Sequence, residues 1–155
     1  MSYINVKNYF EKIGLLDCVK DLGESSATVE LAAAAIGCLP KEIVKSLSLL
    51  IDDNPILVVM AGDRKIDNSK YTTKFHKKAK MIPYDLVEPL IGHDVGGVCP
   101  FATKDNVKIY LDTSLLENQM LYIGGGNEHC IVELTLDKFK MIMAQYEWVD
   151  VCKQI

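Results

Sequence analysis

Two clusters of glycine and one lysine hold the residues of this chain that could do chemistry. The stretch Gly92-His93-Asp94-Val95-Gly96-Gly97-Val98-Cys99-Pro100-Phe101 is followed further on by Gly124-Gly125-Gly126, so that six of the chain's ten glycines fall in two short segments. Backbone of this kind turns sharply and lets another group come close. A Gly-Gly pair taken alone is most simply a tight loop that needs positive φ. Two such loops side by side would present a wall of N–H groups, which suits a ligand better than a core. The lysine is Lys45, inside Ile43-Val44-Lys45-Ser46-Leu47. Its apolar neighbours could shelter the ammonium, which could then bind a phosphate or a ribose hydroxyl. The plainer explanation is a lysine favoured by the negative end of a helix dipole.

Several chemistries are disfavoured by what these residues lack. No G-x-x-x-x-G-K-[ST] is present, and neither glycine cluster has the G-x-G-x-x-G spacing of a dinucleotide site. His76, His93 and His129 lack the close spacing and carboxylate company of a metal motif, so no metal site and no cofactor is expected. No serine stands in G-x-S-x-G. Cys99 follows His93 closely, but its apolar surroundings point to a small buried residue rather than a thiol nucleophile.

Composition bounds the rest. A chain of 155 residues, 49% apolar and 25% charged, fits one globular domain over residues 1–155 that needs no disulfide or metal to hold it. Five cysteines, odd in number and never in C-x-x-C, fit a reducing cytoplasm. No apolar run approaches membrane-spanning length. The net charge of −4 disguises an uneven distribution. Between Arg64 and Lys80 stand seven cations and one acid, leaving +6 there and −10 elsewhere. Such a run is usually a solvated face. On an acidic body it could also attract phosphates locally while the remaining surface repels nucleic acid.

Periodicity places these residues on elements. Val6, Tyr9, Phe10 and Ile13 predict a first helix ended by Gly14, and Leu15 to Leu22 a short strand before a turn at Gly23 to Ser26. Thr28 is placed to cap a helix through Ile36, with Gly37 to end it. Pro40 predicts a short helix from Lys41 to Ser46, with Lys45 in its last turn. Leu47–Ile51 and Ile56–Ala61 read as two strands about a four-residue turn, Asp52 to Pro55. Gly62 to Lys65 reads as another turn. Asp67 caps an expected helix from Asn68 to about Lys80, with Tyr71, Phe75 and Ala79 inward. Asp85 caps one from Leu86 to Ile91, closed by Gly92. Strands are expected at Val107–Asp112, Met120–Ile123 and Cys130–Leu134, and one helical turn at Ser114–Asn118. A last helix, Leu136 to about Tyr146, is capped by Thr135, and Trp148 to Val151 reads as an edge strand.

Taken together, Ser26-Ala27-Thr28-Val29-Glu30-Leu31-Ala32-Ala33, Ile43-Val44-Lys45-Ser46-Leu47, Gly96-Gly97-Val98-Cys99-Pro100-Phe101, Tyr110-Leu111-Asp112, Tyr122-Ile123-Gly124-Gly125-Gly126 and Ile131-Val132-Glu133-Leu134 resemble, in that order, the YbaK family. That family is related to the editing domain of bacterial prolyl-tRNA synthetases. The resemblance implies an α/β fold of the α+β type, a single domain with a strongly curved mixed β-sheet and surrounding helices. It implies hydrolysis of the ester of a mischarged aminoacyl-tRNA in trans. The tRNA would be tRNA-Pro or another carrying a small amino acid such as Ala, Ser, Thr or Cys. By the same resemblance Lys45, Gly96 and Gly97 are the catalytic candidates, with Lys45 near the terminal adenosine. His93, Val98, Cys99, Pro100, Asp112, Gly124, Gly125 and Gly126 are expected around the substrate. The implied partners are the 3′ acceptor end of an aminoacyl-tRNA and, as a candidate, prolyl-tRNA synthetase; a monomer with no membrane contact is expected. Ala102 departs from the glycine that relatives often carry after the Pro-hydrophobic pair. The other reading of these residues is a module that binds an acceptor end or an amino acid without catalysis.

Overall fold

The computed structural model describes residues 2–155. Its centre is the hairpin of β2 (Val44–Ile51) and β3 (Asn54–Ala61), antiparallel and in register from Val44↔Ala61 to Ile51↔Asn54. Seven of the eight β3 residues are buried, because the strand is covered on both faces. Leu57 and Val59 enter the main core with Phe10, Phe101, Leu111 and Phe139. Ile56, Val58 and Met60 enter a second core with Tyr71 and Val151. A near-continuous apolar run is what a strand buried on both faces requires.

β3 pairs in parallel with β5 (Lys108–Asp112), and β5 in parallel with β8 (Glu147–Val149), giving the order β2-β3-β5-β8. A three-stranded antiparallel sheet, β1-β7-β6, is built from β1 (Val19–Asp21), β6 (Met120–Gly124) and β7 (Cys130–Thr135). A parallel bridge between Ile43 and Tyr122 ties it to the start of β2. β4 (Arg64–Ile66) pairs with β9 (Cys152–Gln154). Around these lie α1 (Ser2–Lys12), α2 (Val29–Ile36), α3 (Asn68–Phe75), α4 (Val87–Ile91) and α5 (Leu136–Ile142). This is the mixed α/β architecture expected. Among the described residues no helix is long and apolar enough to cross a membrane.

Three of the four expected side-chain caps form. The Thr28, Asp67 and Thr135 side chains accept from the backbone at the starts of α2, α3 and α5, and Gly37 closes α2 at φ 81°. Other expectations give way to pairing. Residues 41–46 are not a helix: Pro40 opens a single 3₁₀ turn, held by the Leu39 N–H bond to the Glu42 carboxylate at 3.0 Å, and β2 begins at Val44. The β-branched pair Ile43-Val44 and a full ladder to β3 outweigh the helix signal. Lys45 therefore sits on a strand. The β2–β3 turn has two residues rather than four, with Asp52 at φ 51°. Arg64 and Lys65 belong to β4 rather than to a turn.

The α3 helix stops at Phe75, not near Lys80, because His76 turns left-handed (φ 61°) while its N–H still bonds to the Thr72 carbonyl. Residues 80–82 are drawn along β2 instead, through Leu50 N–H to Lys80 O and Ile82 N–H to Ser48 O. Asp85 lies within a 3₁₀ turn and caps nothing; Leu86 precedes α4 without a side-chain cap. The last helix ends at Ile142, four residues early, and the chain closes with β8 and β9.

Candidate active site

The site is built where β2 begins. Thr28 caps α2 so that Ser26, Thr28, Val29 and Ala32 face one side of a pocket. Ile43 and, from β2, Val44 to Ser46 line it; Val95, Gly96 and Val98 come from the loop between α4 and β5, and Tyr122, Ile123, Gly124 and Asn127 from the end of β6 and beyond. The volume is about 140 Å³. Lys45, Gly96, Val98 and Gly124 are thus brought together. A larger, open concavity of about 770 Å³ lies under Tyr84, Asp85, Glu88 and Lys104. It lacks Lys45 and carries mostly acidic groups, so it is a poorer place for an anionic substrate.

Lys45 is half-buried, and its ammonium donates to the Arg64 carbonyl. Burial lowers its pKa below the ordinary lysine value, while the carboxylates of Glu30 and Asp63 act in the opposite direction. The result is a single cation in a sheltered pocket, close to the positive end of the α2 dipole. That pairing suits a phosphate or an oxyanion.

The two glycine loops do meet, but their contact uses much of the backbone that an open wall of N–H groups would need. Val95 to Gly97 form a 3₁₀ turn in which Gly97 N–H donates to the Asp94 carbonyl at 2.8 Å. A Cβ on Gly97 would stand 2.4 Å from the Gly126 carbonyl group, and one on Gly126, at φ 95°, would meet the backbone of Ser2 and Tyr3. Gly125 N–H is engaged by the Cys130 carbonyl at 2.8 Å. Val98, which closes the turn, makes no well-formed hydrogen bond through its N–H among the described residues. The Glu128 carboxylate lies against Gly96, 2.9 Å from where a Cβ would be.

Of the remaining expected residues, His93, Cys99 and Pro100 are buried in this loop and Asp112 lies at the end of β5; none of the four lines the pocket. His93 is fully buried: its Nδ1 meets the Ser2 hydroxyl and its Nε2 donates to the Phe101 carbonyl at 2.6 Å, tying α1 to the loop. Burial lowers its pKa, so it is neutral near pH 7. Cys99 and Pro100 are buried, and burial pushes the Cys99 thiol up to about 12, which leaves no thiolate for attack. Asp112, also buried, accepts from Ser114 N–H and Val151 N–H, both at 2.9 Å. Ala102 adopts φ 54°, so the turn after Phe101 keeps a left-handed conformation without glycine.

Thr28, Tyr122 and Asn127 are pocket residues that sequence reasoning did not single out. Thr28 was legible as a cap, and both it and Tyr122 as parts of the motifs that carry the resemblance, but neither as a pocket residue. Asn127 folds its own loop, its Oδ1 accepting from His129 and Cys130 N–H. Among the described residues, metal-ligand atoms gather only at Asp21, His129 and Cys130, within 4.8 Å of one another. Asp21 there already accepts from Gly23 N–H at 2.8 Å and pairs with His129 at 3.1 Å.

The model of the aminoacyl-tRNA editing domain matches residues 23–141, a span that contains every pocket residue. The chain belongs to the aminoacyl-tRNA editing domain family. The chain is similar to the uncharacterized protein YwhH of Bacillus subtilis strain 168, 39% identical over 99% of this chain and 98% of that protein. Among solved structures, a candidate trans-editing enzyme for prolyl-tRNA synthetase superposes with a TM-score of 0.86. It is 25% identical and covers 98% of this chain and 97% of that one. The hypothetical protein APE2540 superposes at 0.85 with 27% identity, covering 96% and 99%. Both share the fold of this chain from end to end.

Proposed function

We propose that this protein is a deacylase acting in trans, which hydrolyses the ester of a tRNA charged with a wrong, small amino acid. The observation that carries this reading is the convergence of Lys45, the Gly96 turn and Gly124 on one pocket of about 140 Å³ within an editing-domain fold. An aminoacyl ester is activated by its own ammonium group and neighbouring ribose hydroxyl, so placing water against the carbonyl and stabilising the oxyanion are sufficient. Lys45 holds the phosphate or hydroxyl of the terminal nucleotide. The carbonyl oxygen faces the N–H groups of Gly96 and Val98, since that of Gly97 is engaged by Asp94. Water adds, the tetrahedral intermediate collapses, and the ribose hydroxyl leaves with the proton.

Ala32, Ile43 and Ile131 give the pocket apolar walls close together, which fits a small side chain. Because one methylene separates substrates by only about 1 to 3 kcal/mol, neighbouring small amino acids overlap as substrates. The test is deacylation of tRNAs charged with alanine, serine, threonine, cysteine and proline. Turnover of one or two of them is expected. Binding of uncharged tRNA with no turnover of any would replace the enzyme by an acceptor-end binding module.

A further inference from the structure

Lys45, Ser46 and Leu47 occupy a gap on the outer edge of β2. On one side of the gap Ile43 bridges to Tyr122. On the other, residues 80–82 cover the strand, with Leu50 N–H donating to Lys80 O at 2.9 Å and Ile82 N–H to Ser48 O at 3.0 Å. The Lys45 pocket opens in this gap and continues into a second concavity of about 250 Å³, which shares Ser46, Val95 and Val98 with it and has no charged side chain in its lining. Its rim is exposed: Tyr84 is 79% accessible and Met81 56%.

Further along β2, beside Leu50, stand Lys77, Lys78 and Lys80 with Asp52 and Asp53. Lys77 pairs with Asp52 at 3.2 Å, whereas Lys78 and Lys80 have no ion-pair partner among the described residues. Leu50 is five residues from Lys45, about 17 Å along an extended strand. A few extended nucleotides cover that length. The sequence's basic island is thereby joined to the pocket, although four of its seven cations (Arg64, Lys70, Lys74 and Lys77) are engaged in ion pairs.

The other ways out of the pocket are hostile to phosphate. Past Val95 lies the large concavity with Asp85, Glu88 and Asp94 against one cation, Lys104. Past Ser26 and Asn127 lies another with Asp21, Glu24 and Glu128. The β2 edge leads over a lining without charged side chains, although Tyr84 also borders the acidic concavity, to Lys78 and Lys80, which have no ion-pair partner among the described residues.

We propose that the single-stranded 3′ end of the RNA substrate reaches Lys45 along the outer edge of β2, with one base seated on Tyr84 and Met81 and the sugar-phosphate chain passing Lys78 and Lys80. This rests on the deacylase reading for its substrate, and the aromatic-plus-lysine arrangement is how single strands are held without sequence readout. The test is fluorescence anisotropy of a labelled single-stranded RNA ending in CCA, which does not depend on turnover. Tyr84→Ala is expected to weaken binding on the order of tenfold. Lys78→Glu/Lys80→Glu is expected to weaken it comparably and to reduce the slope of log K against log salt by about 1.4. Lys140→Glu, on exposed α5, is expected to bind as the wild type. Wild-type affinity in both the Tyr84 and the lysine variants overturns the track. If the variants lose binding but the wild type deacylates no charged tRNA, the track stands and the deacylase reading falls.

Discussion

Gly97 lies so close to Gly126 that a Cβ on the first would stand 2.4 Å from the carbonyl of the second. The two glycine loops are thus locked backbone to backbone beneath the pocket. Gly97→Ala forces them apart, and overpacking of this kind costs about 1–3 kcal/mol. A fall in Tm of about 2–4 °C for each kcal/mol is expected for a chain of this size. Gly96→Ala meets only the flexible Glu128 side chain, so thermal unfolding should show a smaller fall there. Equal Tm values for Gly97→Ala and the wild type would contradict the packing.

His93 supplies a pH dependence. Burial lowers its folded-state pKa below the ordinary 6.5. The unfolded chain therefore binds the proton more readily, and the sign follows: the stabilisation is complete above about pH 6.5 and is lost as pH falls through the lower folded value. Thermal unfolding between about pH 7.5 and 5 should show the wild type losing Tm more steeply than His93→Gln. Parallel curves would mean that His93 does not titrate this way.

Asp112 separates stability from activity. Both of its oxygens accept backbone N–H bonds, from Ser114 and Val151, in a buried position. Asp112→Ala leaves two buried donors unpaired, at about 1–3 kcal/mol each. The expected outcome is a marked loss of stability in denaturant unfolding, with deacylation per folded molecule little changed at a temperature where the variant is folded. Unchanged stability with lost activity would move Asp112 to the substrate.

These residues also mark how far the sequence could be read. Most caps were legible because each is one side chain acting within three residues, as with Thr28, Asp67 and Thr135, whereas the one expected at Asp85 did not form. The β2–β3 hairpin was legible because its apolar runs flank a polar turn. Lys45 could be picked out by its residue type and neighbours, but its element was misjudged, since the competition between a Pro40-initiated helix and a strand is decided by β3. The premature end of α3 is decided similarly, by the pairing of residues 80–82 with β2. His93 and Asp112 stood out by their place in glycine- and strand-flanking motifs. Their partners, Ser2 and Val151, lie 91 and 39 residues away, and no local pattern shows such bonds. Thr28, Tyr122 and Asn127 become pocket residues only when three elements meet.

The central claim is that Lys45 holds the terminal nucleotide of an aminoacyl-tRNA for hydrolysis. The most direct measurement is single-turnover deacylation of the tRNA turned over fastest by the wild type, repeated with Lys45→Ala after its folding is checked by thermal unfolding. Loss of a fixed charge at a developing oxyanion or its neighbouring phosphate costs on the order of 10²–10³ in rate. A folded Lys45→Ala protein slowed by that factor is the predicted result. A folded variant that deacylates at the wild-type rate would contradict the account.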